Sequence, residues 1–140
     1  MKQFLLIIIA AVNLNCMAQS ITLNIKNIRN DKGHLQVAVF ENEAQFKDEK
    51  PVRKIYFDKS EIANGNKKIT IDFKPGTYAI TVLDDEDDSK DMTYRLGIYP
   101  REGVGFTNFK MEGMSKPKFS DFDFTINEGN KQLIVEMKYF

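Results

Sequence analysis

Six acids fall within eight residues, at Asp84, Asp85, Glu86, Asp87, Asp88 and Asp91, and only Lys90 offsets them. Carboxylates so crowded repel one another, and a bound cation relieves that repulsion. Calcium takes about six to eight oxygen ligands, and side chains at alternate positions of a tight loop can converge on one ion. Asp85, Asp87, Ser89 and Asp91 have that spacing and form the expected calcium ligand set, completed by Glu102 or a backbone carbonyl. An EF-hand is excluded: a loop opening at Asp85 would need glycine sixth and glutamate twelfth, where Lys90 and Leu96 stand. The competing reading is a solvated acidic loop without metal.

The segment that follows carries Gly97, Gly103 and Gly105. Glycine reaches backbone angles closed to other residues, so these positions can shape a bulged connection that brings Arg101, Glu102 and Asn108 beside Asp84 as a small ligand-binding site. Alternatively the glycines only let the chain change sheets while Phe106 and Phe109 fill the core. Catalysis has less to stand on. His34 is the only histidine and has no serine or carboxylate beside it in the sequence; zinc chemistry lacks ligands, and no carboxylate pair stands out by environment. No enzymatic activity and no organic cofactor are expected.

Lys2 precedes an apolar run from Phe4 to Val12, which gives way to small and polar residues ending Cys16-Met17-Ala18. This is the layout of a cleaved secretory signal peptide, with a mature domain over residues 19–140. The apolar run is shorter than the roughly 20 residues a membrane helix needs. Asn13 and Asn15 fit a lipoprotein signal poorly, so the expectation is a secreted or periplasmic protein without a lipid anchor. Removing residues 1–18 takes away Lys2 and Cys16, leaving 19 basic against 20 acidic residues and no cysteine. Disulfides, thiol chemistry and cysteine metal sites are thereby excluded, and the balanced charge gives no footprint for nucleic acid.

Along the mature chain the apolar period is two. Ile21, Leu23 and Ile25 alternate with polar residues, as do Leu35, Val37 and Val39, then Ile69, Ile71 and Phe73, then Tyr78, Ile80 and Val82. Phe122, Phe124 and Ile126 repeat the pattern, and Leu133, Val135, Met137 and Tyr139 close it. Between them, Glu43–Lys50 suits one helical turn before Pro51, Val52–Ile62 reads as a strand, and Pro75-Gly76 suits a type II turn. Seven or eight short strands without a long helix predict an all-β antiparallel sandwich whose core takes up most of the eleven phenylalanines.

Pro75-Gly76-Thr77-Tyr78-Ala79-Ile80, the acidic loop, and Leu96 to Asn108 (LGIYPREGVGFTN) occur in that order, and Lys118-Phe119-Ser120-Asp121-Phe122 follows. This succession resembles the signature of the exported bacterial domain-of-unknown-function family 2141. The resemblance implies a transthyretin- or prealbumin-like sandwich and no particular activity. The chain departs from the pattern where the family has histidine and this sequence has Asp84, where a loop glycine is missing at Asp88-Ser89-Lys90, and where Tyr99 is inserted before Pro100. No role of that histidine carries over.

Two functions are open to such a domain. One is a non-catalytic binding module for a small ligand, with calcium in the loop 84–91. The other is an assembly module pairing with a partner protein through strand edges at Ile21–Ile28 or Leu133–Tyr139.

Overall fold

The structure, a computed structural model, describes residues 19–92, 94–95 and 99–140, without the side chains of 94, 95 and 99. The proposed signal segment and Gly97 lie outside the described residues. The elements are β1 (Gln19–Lys26), β2 (His34–Phe40), α1 (Glu43–Lys47), β3 (Arg53–Asp58), β4 (Lys67–Phe73), β5 (Gly76–Asp85), β6 (Tyr94–Arg95), β7 (Tyr99–Pro100), β8 (Gly103–Phe106), α2 (Phe119–Phe122), β9 (Phe124–Ile126) and β10 (Lys131–Glu136). The fold is all-β and sandwich-like, with eight strands of three residues or more and a two-residue pair, β6–β7.

One sheet runs β10-β1-β4 and the other β3-β2-β5-β8, with β9 also on β5. Alternation turns Ile21, Leu23 and Ile25 of β1, Leu133 and Val135 of β10, and Ile69, Ile71 and Phe73 of β4 against Leu35, Val37, Val39, Ile80 and Val82. The pairing is antiparallel, as expected of the sandwich, except at one place: β1 lies parallel to β10, with Leu23 opposite Leu133. A parallel neighbour needs a long crossover, and here nearly the whole domain serves as one.

The sheets are also joined along one side. Val104 and Lys138 exchange backbone hydrogen bonds of 2.9 and 2.8 Å, and Asn108 donates its backbone N–H to the Ile134 carbonyl at 2.7 Å. β10 is therefore bonded on both flanks, and β1 is an inner strand. Partner strands at Ile21–Ile28 or Leu133–Tyr139 would meet edges already in use; among the described residues β3, β4 and β9 each pair with a strand on one flank.

The outer face of the five-stranded sheet departs from simple alternation. β2 is buried on both faces from Leu35 to Phe40. Its outward Ala38 and Phe40 pack with Ala79, Phe106, Met111 and the rings of α1 and α2 as a second core. α1 forms where a helical turn is expected, capped by the Asn42 side chain, which accepts the Gln45 N–H. α2 replaces the start of an expected strand: Asp121 accepts the Lys118 N–H at 2.8 Å, and Phe119 and Phe122, three apart, share the face that enters the second core.

Gly76 does not make the expected type II turn, because its φ is not positive. It is small for another reason. A Cβ there would lie 3.0 Å from the Tyr78 hydroxyl oxygen, and that hydroxyl donates to the Lys74 carbonyl at 3.0 Å, clamping the entry to β5.

Candidate functional site

Three inward rows of side chains end in polar residues at the same end of the sandwich. Ile55 and Phe57 are followed in phase by Lys59, Ile80 and Val82 by Asp84, and Val135 and Met137 by Tyr139. Lys59 and Asp84 are fully buried and form an ion pair. The Lys59 ammonium faces Asp84 Oδ1 outside hydrogen-bonding geometry and also reaches Asn30 Oδ1 at 3.3 Å. Tyr139 donates its hydroxyl to Asp84 Oδ2 at 2.5 Å and accepts the Arg29 N–H at 3.1 Å. Burial raises the Asp84 carboxyl above its ordinary range, against the opposing pull of Lys59 and Tyr139. Burial, then the bond to Asp84, pushes the Tyr139 hydroxyl up.

The next residue turns the other way. Asp85 is 1 % exposed, and its two oxygens accept the backbone N–H groups of Ser89 and Lys90, each at 2.9 Å. Asp87, exposed, accepts the Ser89 N–H at 3.1 Å, and the Ser89 groups hold its carboxyl below the usual range. The Ser89 hydroxyl donates to the Asp91 carbonyl at 2.7 Å. These bonds curl the acidic loop on itself, with Asp88 and Lys90 in the left-handed region at φ 55° and 67°.

Glu102, 2 % exposed, enters from the strand start beyond β7. Asp85, Asp87 and Glu102 place carboxylate oxygens within 4.8 Å of one another. Of the expected calcium set, Asp85 and Asp87 thus come together with the proposed completing residue Glu102. Ser89 supplies backbone and hydroxyl bonds to the loop, and Asp91 stands outside the carboxylate group.

The expected ligand-binding quartet is distributed differently. Asp84 belongs to the buried pair, Glu102 to the carboxylate group, and Arg101 offers its carbonyl to Arg29 Nη2 at 3.0 Å. Asn108 uses its side-chain oxygen to accept the Ile134 N–H at 3.0 Å, fastening β10. His34 meets Asp88 at 2.5 Å on the surface.

Two further features hold the rim. Arg29 donates to both Glu86 oxygens, at 2.5 and 2.9 Å, while its guanidinium stacks 4.5 Å from the Tyr139 ring centre. This fork holds the Glu86 carboxyl below its ordinary value. Gly33, at φ +69°, presses on the loop: a Cβ there would lie 1.9 Å from the Asp85 carbonyl oxygen.

Gly103 and Gly105 act by close approach, since neither has a positive φ. A Cβ at Gly103 would lie 2.4 Å from the Tyr139 ring, and one at Gly105 would lie 2.5 Å from Val135. Sequence reasoning missed Lys59 and Arg29. Lys59 had a readable signal, because it continues the alternation of Ile55 and Phe57; Arg29 had none.

The family model described as "Uncharacterized protein conserved in bacteria (DUF2141)" matches residues 23–134, and the chain belongs to that family. Neither the curated proteins nor the solved structures contain a match. Among the described residues no helix is long and apolar enough to cross a membrane.

Proposed function

Starting from membership of a family whose description carries no activity, we propose that this domain is an exported, non-catalytic binding module that holds a calcium ion at Asp85, Asp87 and Glu102. The N-terminal layout supports export. The observation that carries the metal reading is the convergence of three carboxylates within 4.8 Å, two of them buried. Negative charges at that spacing and depth favour a cation among them.

The donor set points to the kind of ion. It is all carboxylate oxygen, with neither histidine nor cysteine in the group, which suits a hard cation such as calcium and not zinc. Amide bonds from Ser89 and Lys90 orient the Asp85 oxygens and leave each with a free lone pair. Three carboxylates supply part of calcium's shell, and carbonyls and water would supply the rest.

Calorimetric titration of residues 19–140 with calcium, beside an Asp85→Asn/Asp87→Asn variant, tests this. Binding should release or absorb heat in the parent and raise its melting temperature by roughly ten degrees at about 100 times Kd, where the gain is about 2.7 kcal/mol. The double variant should lose both responses, and Asp91→Asn should keep them. A parent protein with no heat and no melting shift ends the metal reading.

A further inference from the structure

Among the described residues, the outer face of the five-stranded sheet is roofed by helices at one end and carries a cavity at the other. Register puts Phe40 beside Ala79, Ala38 beside Thr81 and Gln36 beside Leu83, and β8 continues these rows with Phe106 and Val104. Phe46 of α1 and Phe122 of α2 cover the Phe40 end, with ring centres 5.0 Å apart. Over the other end lies a cavity of about 380 Å³, floored by Gln36, Ala38, Thr81 and Leu83 and walled in part by Met111 and Met114. Its size is that of a small-molecule site, and apolar residues make up most of the lining, with Gln36 and Thr81 on the floor and Glu49, Lys54, Asp91 and Lys116 around it.

Gln36 supplies the second observation. It lies on the cavity floor only 7 % exposed, and its Oε1 meets no donor among the described residues. A buried amide oxygen is ordinarily matched by a donor, and one left without a partner on an apolar face calls for an explanation. Of its neighbours on that face, Ala38 and Leu83 are apolar and Tyr56, directly across on β3, is exposed and does not bond to that oxygen.

We propose that this cavity binds a small, uncharged, mainly apolar molecule carrying a hydroxyl group, which donates its O–H to Gln36 Oε1. A hydroxyl also accepts, so it can serve the amide N–H₂ as well. The molecule is uncharged because the floor is uncharged and the four charged residues of the lining, Lys54 and Lys116 against Glu49 and Asp91, balance in sign. At the wall, Lys116 is engaged by Glu49 at 3.1 Å and stands over the Phe46 ring at 4.5 Å. Methionines around the mouth, with Met114 half exposed, let the opening adjust to an occupant. Asp85, Asp87 and Glu102 lie outside this cavity, so the proposal stands or falls apart from the calcium site.

The test is a fluorescence titration with 2-naphthol and with 2-methoxynaphthalene, which keeps the rings and lacks the donor. Saturable one-to-one binding of 2-naphthol, at least tenfold tighter than the ether, is expected. Gln36→Leu should bring the two affinities within about twofold, and Ala38→Leu should abolish both while leaving a cooperative melt. Methyl NMR of the parent gives a readout without any variant: 2-naphthol should shift Met111 and Met114. Failure of 2-naphthol to bind saturably, equal affinities in the parent, discrimination that survives Gln36→Leu, or unshifted Met111 and Met114 signals would each overturn the proposal.

Discussion

Asp84 and Asp85 are consecutive and almost equally buried, yet they are satisfied in opposite ways. Asp84 faces the core and meets an ammonium and a phenol from just beyond the ends of β3 and β10. Asp85 faces the loop and accepts the backbone amides of Ser89 and Lys90, with two more carboxylates close by. One step of strand alternation thus separates a charge neutralised within the chain from one whose surroundings favour a cation from outside. Equal depth of burial thus goes with opposite electrostatic surroundings, set by the sign of each acid's neighbours.

The comparison breaks most visibly at Lys59. Lys59→Met leaves Asp84 buried without its counter-charge, and denaturant unfolding should show a loss of about 3–5 kcal/mol. A Lys59→Met/Asp84→Asn double variant should recover a large part of that, because the pair partly offsets its own desolvation. A double variant as unstable as the single one would mean that Lys59 acts by packing.

Tyr139→Phe probes the same acid more gently. It removes one hydrogen bond to a charged group while keeping the ring, and should cost about 1.5–3 kcal/mol by the same measurement. No change would show that Lys59 alone satisfies Asp84.

The smallest effect concerns Glu86, held by Arg29 above the buried pair. Its folded pKa lies below its ordinary 4.5, so its stabilising contribution is fully present above that pH and is lost as pH falls through the folded value. Asp84 has the opposite sign: with a raised folded pKa, the folded form takes up its proton more readily and gains relative stability as pH falls toward 3.8. Arg29→Gln should cost about 1 kcal/mol or less at pH 7 and make the stability–pH curve shallower between about pH 5 and 3. An unchanged slope would mean that the fork contributes nothing to acid sensitivity.

The inward rows were readable from period two, and so was the location of the acidic loop. What the rows could not reveal was their neighbours. The parallel pairing of β1 with β10 joins residues more than 100 apart, which no local pattern encodes. Outward burial of Ala38 and Phe40 depends on two short helices whose docking is a tertiary event. The glycines illustrate the same limit. Gly76, Gly103 and Gly105 looked like backbone freedom and proved to be clearance for Tyr78, Tyr139 and Val135. Sequence marks that a side chain is intolerable there; only packing says which neighbour forbids it. The joining of Glu102 to Asp85 and Asp87 was partly visible, because a cation among acids calls for further oxygens, and Glu102 was the next acid after the loop.

The first strand of the described chain has a late-arriving neighbour. Until residues 131–136 leave the ribosome, β1 can pair with β4 alone, and its other flank remains an open template for foreign strands. Completing that ladder closes a loop of about a hundred residues, a slow event by topology. A chain stalled or clipped just before β10 would therefore be the aggregation-prone species, whatever the finished domain binds.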